Sequence, residues 1–257
     1  MQGLQDGQAD RSNLEAVRQL AEMAGMNAGK ASLLRLTSSM GFTLAFRPGS
    51  SDEGVLSHSF DNDIFLKGVP EYQPQHSHTV LDVGAHLGDF SLLLSRLVAR
   101  VYAVEARGET FALLKTNLSL NHAGNVTADH LALGDKNGYC RLYLASEGES
   151  WGDSTTFDFN GAAETVPCLT LERYLFERNI QHVDFAKFNC EGAEFPILLS
   201  ADQPTLSRFN TMLVLYHCDL VSGAKERVLH EKLAQCGFTT TTRNQTESRG
   251  WIIATRS

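Results

Sequence analysis

Val80-Leu81-Asp82-Val83-Gly84-Ala85-His86-Leu87-Gly88-Asp89-Phe90-Ser91 is the stretch on which the reading of the fold turns. A short apolar run, a turn bounded by two glycines and a helical spacing from about Phe90 to Val98 spell strand, loop and helix. Val101-Tyr102-Ala103-Val104-Glu105 repeats the strand, and a second helix follows from about Glu109 to Asn121. Such alternation predicts a parallel sheet with helices on its faces.

Outward from that unit the pattern continues. Val126 to Leu133 reads as a third strand, Tyr139 to Ala145 and Glu164 to Cys168 as two further strand-like runs, and Leu171 to Arg178 as a helix. Val183-Asp184-Phe185-Ala186-Lys187-Phe188 is the fourth core strand, Glu194 to Leu199 a helix, and Thr211 to His217 the fifth strand. A helix from Glu226 to Gln235 stops at Gly237, and Phe238 to Thr242 with Trp251 to Thr255 form a closing antiparallel pair. The expected fold is α/β, a doubly wound, Rossmann-like open sheet of seven core strands with the last one antiparallel.

Upstream, residues 1–12 are polar and Gly/Gln/Asp-rich and read as a loose tail. Residues 13–78 read as a cap. A helix carries Leu14, Val17, Leu20 and Met23, a second short helix holds Leu33, Leu34 and Leu36, and a strand covers Phe42 to Phe46. The turn formers Arg47-Pro48-Gly49-Ser50-Ser51-Asp52 follow, then Phe60, Ile64, Phe65 and Tyr72 as a lid or short helix. Residues 79–257 are the ligand-binding domain.

A net charge of -8 argues against indiscriminate attraction to nucleic acid or an anionic membrane and favours a small-molecule acceptor. No apolar run reaches the ~18 residues of a transmembrane helix, and the first thirty residues lack a signal-peptide core. Five scattered cysteines with no C-x-x-C pair suggest reduced thiols. A cytoplasmic protein is expected, and a homodimer through the N-terminal extension is compatible with these features.

In an open parallel sheet the ligand lies beyond the carboxyl ends of the strands, so the residues just after each strand carry the chemistry. After the first strand, Gly84 and Gly88 allow a tight turn and close backbone approach, with Ala85 and Phe90 beside them. Glu105, followed by Ala106, ends the second strand, where a carboxylate suits the two hydroxyls of a ribose. Neither G-x-G-x-x-G nor a P-loop is present, and Asp82 would repel a pyrophosphate while attracting a cationic amino group. S-adenosylmethionine, with an ammonium and a sulfonium, is the cofactor these residues favour over NAD. Asp135 reads as a turn residue or a contact near the adenine; Asn117 and Asn121 read as helix-end residues or cofactor neighbours.

After the fourth strand, Lys187 and Asn189 share one face, and Glu191 and Glu194 precede a helix whose dipole favours a carboxylate in any case. Lys187 either orients an acceptor oxygen or forms a salt bridge to Glu191 or Asp184. His217, ending the fifth strand with an unperturbed pKa of ~6.5, is the candidate base or a buried structural histidine.

Four stretches together resemble the FkbM family of methyltransferases: Leu81 to Ser91, Arg47 to Asp52, Asn117 to Asn121 followed by Ala132-Leu133-Gly134-Asp135, and Asp184-Phe185-Ala186-Lys187-Phe188-Asn189-Cys190-Glu191-Gly192-Ala193-Glu194. The last is similar to the family's I-K-x-D-x-E-G-A-E pattern. The resemblance implies a class I methyltransferase sheet and methyl transfer from S-adenosylmethionine to a hydroxyl of a sugar or secondary metabolite, in some members to an amide nitrogen. Two departures stand out. Asn189 replaces the usual Asp, and Tyr216 precedes His217 where Glu-x-His is usual.

Asn189 can hydrogen-bond but cannot accept a proton, so an altered base or acceptor, or a partner that binds the cofactor without turnover, stays open. A metal-assisted reaction would want clustered carboxylates after the fourth strand, which Asn189-Cys190 does not supply, and no metal is expected. Residues 147–163, with Trp151, Phe157 and Phe159, read as a loop over the acceptor or a plain surface loop.

Overall fold

The computed structural model describes residues 34–37, 40–56, 59–60, 64–145 and 152–256. The expected tail and first helix, with Leu33 and Trp151, lie outside the described residues. The described residues begin with a hairpin of β1 (Leu34–Thr37) and β2 (Thr43–Phe46), followed by the one-turn helices α1 (Asp52–Leu56) and α2 (Ile64–Lys67). Leu34 and Leu36 therefore sit in a strand and not in the expected helix. Their spacing of two is the strand period, and the antiparallel partner β2 provides the ladder.

The main sheet is built from β3 (Thr79–Val83), β4 (Arg100–Glu105), β5 (Val126–His130), β9 (Val183–Phe188), β10 (Phe209–His217), β11 (Thr239–Arg243) and β12 (Arg249–Thr255), in the order β11-β12-β10-β9-β3-β4-β5. Only β12 runs against the rest, pairing antiparallel with β10 and β11. Its helices are α3 (Asp89–Ser95), α4 (Gly108–Leu120), α5 (Leu171–Glu177), α6 (Glu194–Ser200), α7 (Gln203–Leu206) and α8 (Glu226–Gln235). This is the doubly wound seven-stranded architecture expected from the alternation of apolar runs.

The strand period divides each central strand between two cores. Leu81, Val83, Val104, Ala186, Phe188, Met212 and Val214 face one layer, packed by α5 to α8. Val80, Val101, Ala103, Phe185, Leu213 and Ile253 face the other, formed by α3, α4 and residues 42–72. Phe42, Phe60, Phe65, Val69 and Tyr72 are all buried in that second core, with Tyr72 stacked on Phe185 at 4.4 Å.

The expected third strand, Val126 to Leu133, breaks in two. After β5 pairs with β4 as far as His130 opposite Glu105, the chain turns at Leu131 into β6 (Ala132–Gly134), which belongs to a separate sheet with β7 (Gly138–Tyr143) and β8 (Ala163–Thr170). The apolar alternation shifts phase at the break, from Val126 and Ala128, which pack on one core, to Leu131 and Leu133, which pack on the other and line the cleft with Leu142.

Candidate functional site

The strand order reverses between β3 and β9, and a cleft with about 970 Å³ of empty space, counting its open mouth, lies over their carboxyl ends. Its floor is Val83-Gly84-Ala85-His86 after β3 and Asn189-Cys190-Glu191 after β9. These loops touch. Asn189 N–H donates to the Val83 carbonyl at 3.0 Å, and a Cβ on Gly84, at φ +75°, would lie 1.9 Å from the Asn189 carbonyl oxygen. Only glycine permits that contact.

Glu105 and Ala106 form one wall. Glu105 accepts from the His86 N–H and the Arg107 N–H, both at 2.9 Å, so its carboxylate ties the β3 loop to the end of β4. Burial pushes it up to about 6 even against those hydrogen bonds. Leu131, Ala132, Leu133 and Leu142 add an apolar wall beside this carboxylate, while Val55 and Phe65 from the N-terminal segment roof the opposite side.

Asp82 does not line the cleft. It is fully buried, directly opposite Lys187 in the register of β3 and β9, and Lys187 Nζ lies 2.8 Å from its Oδ1. Ser91 Oγ donates to its other oxygen at 2.7 Å. The cation that Asp82 attracts is thus the protein's own ammonium, which also donates to the Gly84 carbonyl at 3.1 Å. The salt bridge to Glu191 or Asp184 that the sequence offered as one reading of Lys187 is not formed; its partner is Asp82. Asp184 is an odd number of residues away and points to the other face of the strand.

Gly88 and Phe90 also fall outside the cleft. Gly88, at φ +82°, packs against Leu114 of α4, and Phe90 is a core ring beside Phe185. Asp135 lines a neighbouring depression with Lys136 and Arg141. Asn121 caps the C-terminal end of α4, as one of the two sequence readings had it, whereas Asn117 lies inside the helix, and neither lines the cleft. Asn117 bonds both backbone groups of Ala45, and Asn121 bonds both of Thr43, so their amides pair with the free edge of β2.

Residues not singled out from sequence complete the lining. Asp89, against Ser59, is pushed by burial up to about 6, and Asp153 is raised by burial although Arg107 lies 3.0 Å away. His86 is lowered by burial to about 4, which leaves it neutral. Its Nε2 sits 3.4 Å from Asp52, the carboxylate that Arg47 grips, so the turn after β2 is docked on the loop after β3. His86 and Asp89 stand inside the quoted glycine-bounded stretch and were legible as neighbours of the loop. Asp153 lies in a Gly/Ser/Asp-rich loop and carried no signal.

At the mouth, Glu191 lines the cleft and is pushed by burial up to about 7. His217 stands behind it, 6 % exposed, with one ring nitrogen toward Glu191 and the other toward Glu194. Burial opposes its charge, but Glu194 and Glu191 outweigh burial and raise it.

The lining matches S-adenosylmethionine. A buried carboxylate beside an apolar wall suits a ribose joined to adenine. Asp89, Glu105, Asp153 and Glu191 make the cleft acidic, and the one lysine among the lining residues is neutralised by Asp82, which suits a cationic ligand and disfavours a pyrophosphate.

No match is found among curated proteins. Among solved structures, the chain is similar to an rRNA methylase from Streptococcus thermophilus (14% identity, 72% of this chain and 90% of that one, TM-score 0.45). It is also similar to M. capricolum TrmK in complex with S-adenosyl-homocysteine (10%, 74% and 66%, 0.45) and to a SAM dependent methyltransferase from Aquifex aeolicus (15%, 78% and 93%, 0.41). The family model of the methyltransferase FkbM domain matches residues 82–239, well over half of the chain. The chain therefore belongs to the FkbM methyltransferase family and is an S-adenosylmethionine-dependent methyltransferase.

Proposed function

We propose that the enzyme methylates a hydroxyl of a small-molecule acceptor bound at the mouth of the cleft, and that Glu191 takes the hydroxyl proton. The observation that carries this reading is the Glu191 carboxylate, which lines the cleft and is pushed by burial up to about 7. A hydroxyl must lose its proton as it is alkylated, and a general base works best with a pKa near the working pH. Asn189, where an Asp is usual, supplies a hydrogen bond and leaves the proton to Glu191.

S-adenosylmethionine supplies an electrophilic methyl group on a sulfonium. Glu105 and the wall of Leu131, Leu133 and Leu142 would hold its adenosyl half, while Asp89 and Asp153 keep the cleft acidic around its charge. Phe65 and Val55 add apolar surface to the lining. The net charge of -8 and the acidic lining favour a small, neutral acceptor over a nucleic acid.

The test is a panel of hydroxylated and amine-bearing small molecules with methyl-labelled S-adenosylmethionine, followed by Glu191→Gln on the best acceptor. A loss of about 10²- to 10⁴-fold in kcat with cofactor binding retained is expected. Full activity in Glu191→Gln, or methylation of amines alone, would overturn the reading.

A further inference from the structure

Three titratable side chains from three elements meet behind the mouth of the cleft. Glu191 stands in the loop after β9, Glu194 is the first residue of α6, and His217 is the last residue of β10. His217 Nδ1 lies 3.3 Å from Glu194 Oε1, and its Nε2 lies 3.4 Å from Glu191 Oε1. Glu194 is fully buried and accepts from the backbone N–H groups of Cys190 at 2.7 Å and Gly192 at 2.9 Å. It thereby also shapes the turn that holds Glu191 at a left-handed φ of +48°.

Neutral imidazole has one N–H and one bare nitrogen, whereas imidazolium donates from both. Carboxylate oxygens face both nitrogens here, Glu194 as a hydrogen-bond acceptor and Glu191 at ion-pair distance, and with both carboxylates ionised only the protonated ring presents an N–H to each. An imidazolium cannot take a proton from an acceptor, which favours Glu191 over His217 as the base. We infer that Glu194 and His217 are positioning residues, with Glu194 holding His217 as an imidazolium whose second N–H aims the Glu191 carboxylate into the cleft.

This rests on Glu191 as the base. As the acceptor oxygen bonds the methyl carbon, the sulfur leaves with the C–S electron pair as a neutral thioether and the hydroxyl proton passes to Glu191. His217 keeps its proton throughout. Arg249, on β12, lies 3.9 Å from Glu191 but is held by Asp219, beyond the end of β10, at 2.8 Å. The Cys190 and Cys218 thiols are raised by burial and stay neutral, so the two glutamates set the ring's charge.

The experiment follows the His217 ring by nitrogen NMR from pH 5 to 9 in histidine-labelled full-length enzyme, with the signal assigned by its loss in His217→Gln. Calorimetry with S-adenosylmethionine establishes that each variant is folded. In wild type the ring is expected to be imidazolium at pH 7, and Glu194→Gln is expected to lower its midpoint by at least one pH unit. With an acceptor in hand, Glu194→Gln and His217→Gln each lower kcat at least tenfold, leave the KM for S-adenosylmethionine unchanged and displace the acid limb of the pH profile. A neutral His217 ring at pH 7 in wild type, or a midpoint unmoved in Glu194→Gln, overturns the inference. Should Glu194→Gln fail to fold, an unmoved acid limb in His217→Gln overturns it instead. An imidazolium His217 combined with full activity in Glu191→Gln overturns the base and leaves the clamp standing.

Discussion

Lys187 and Asp82 face each other across β9 and β3, each almost wholly out of water, with the Lys187 ammonium also 5.3 Å from the Phe65 ring. Removing one member of a buried ion pair strands the other charge and costs about 3–5 kcal/mol. Lys187→Met is expected to lose stability of that order in urea denaturation, and adding Asp82→Leu should recover much of it. A loss below about 1 kcal/mol in the single variant would show that the pair is not the brace described. A second expectation concerns pH. Burial raises Asp89 and Glu105 to about 6 and Glu191 to about 7, so the folded protein binds these protons more tightly than the unfolded chain does. Their contribution to stability is therefore fully present below the unfolded carboxylate range near ~4 and is lost as pH rises through 6 to 7. The midpoint temperature of the cofactor-free protein should fall over that window, while affinity for the cationic cofactor should rise as Glu105 ionises. Scanning calorimetry with and without S-adenosylmethionine reads both, and a cofactor-free midpoint that climbs with pH would contradict the assignment. Much of this was within reach of the sequence. Glu105, Asn189 and Glu191 announced themselves by standing just past strand ends, whereas the role of Asp82 required the register that sets Lys187 opposite it.

At the scale of elements, α4 holds β2 with two side-chain amides. Asn117 Oδ1 accepts from the Ala45 N–H at 2.7 Å, while its Nδ2 donates to the carbonyls of Ala45 at 3.1 Å and Leu87 at 2.9 Å. Asn121 treats Thr43 in the same way one helical turn later, since residues four apart on a helix share a face. Asn117→Ala would leave a buried N–H and two carbonyls with fewer partners, at a cost of about 1–3 kcal/mol for each group left wholly unsatisfied. A drop of about 2–4 kcal/mol in urea is expected, and a change under 0.5 kcal/mol would contradict the pairing. Helices and strands with a regular period were legible from sequence to within a few residues. The contacts that failed to show, Asn117 with Ala45 and β6 with β8, join residues about 72 and 36 apart in the chain, whereas pattern reading senses only neighbours a few residues away.

For the whole molecule, the described residues between 42 and 72 are one face of the core. Phe65 touches Phe90 and Trp251, and Arg243 of β11 reaches back to Glu71 and the Gly68 carbonyl. A chain starting at Thr79 would expose Phe90, Phe185, Leu213 and Ile253, and is expected to aggregate on expression, whereas a monodisperse truncated protein by light scattering would contradict a shared core. Sequence pattern drew a boundary at this point because Pro74 with His76 to His78 closes the preceding segment; Tyr72, stacked on Phe185, packs across it. The amides of Asn117 and Asn121 have a last consequence. A bare strand edge is a template on which a neighbouring chain can add its own strand. The edge of β2 that faces away from β1 finds its bonding groups at Thr43 and Ala45 already answered by a helix, so in a crowded solution that edge offers nothing for a stray strand to extend.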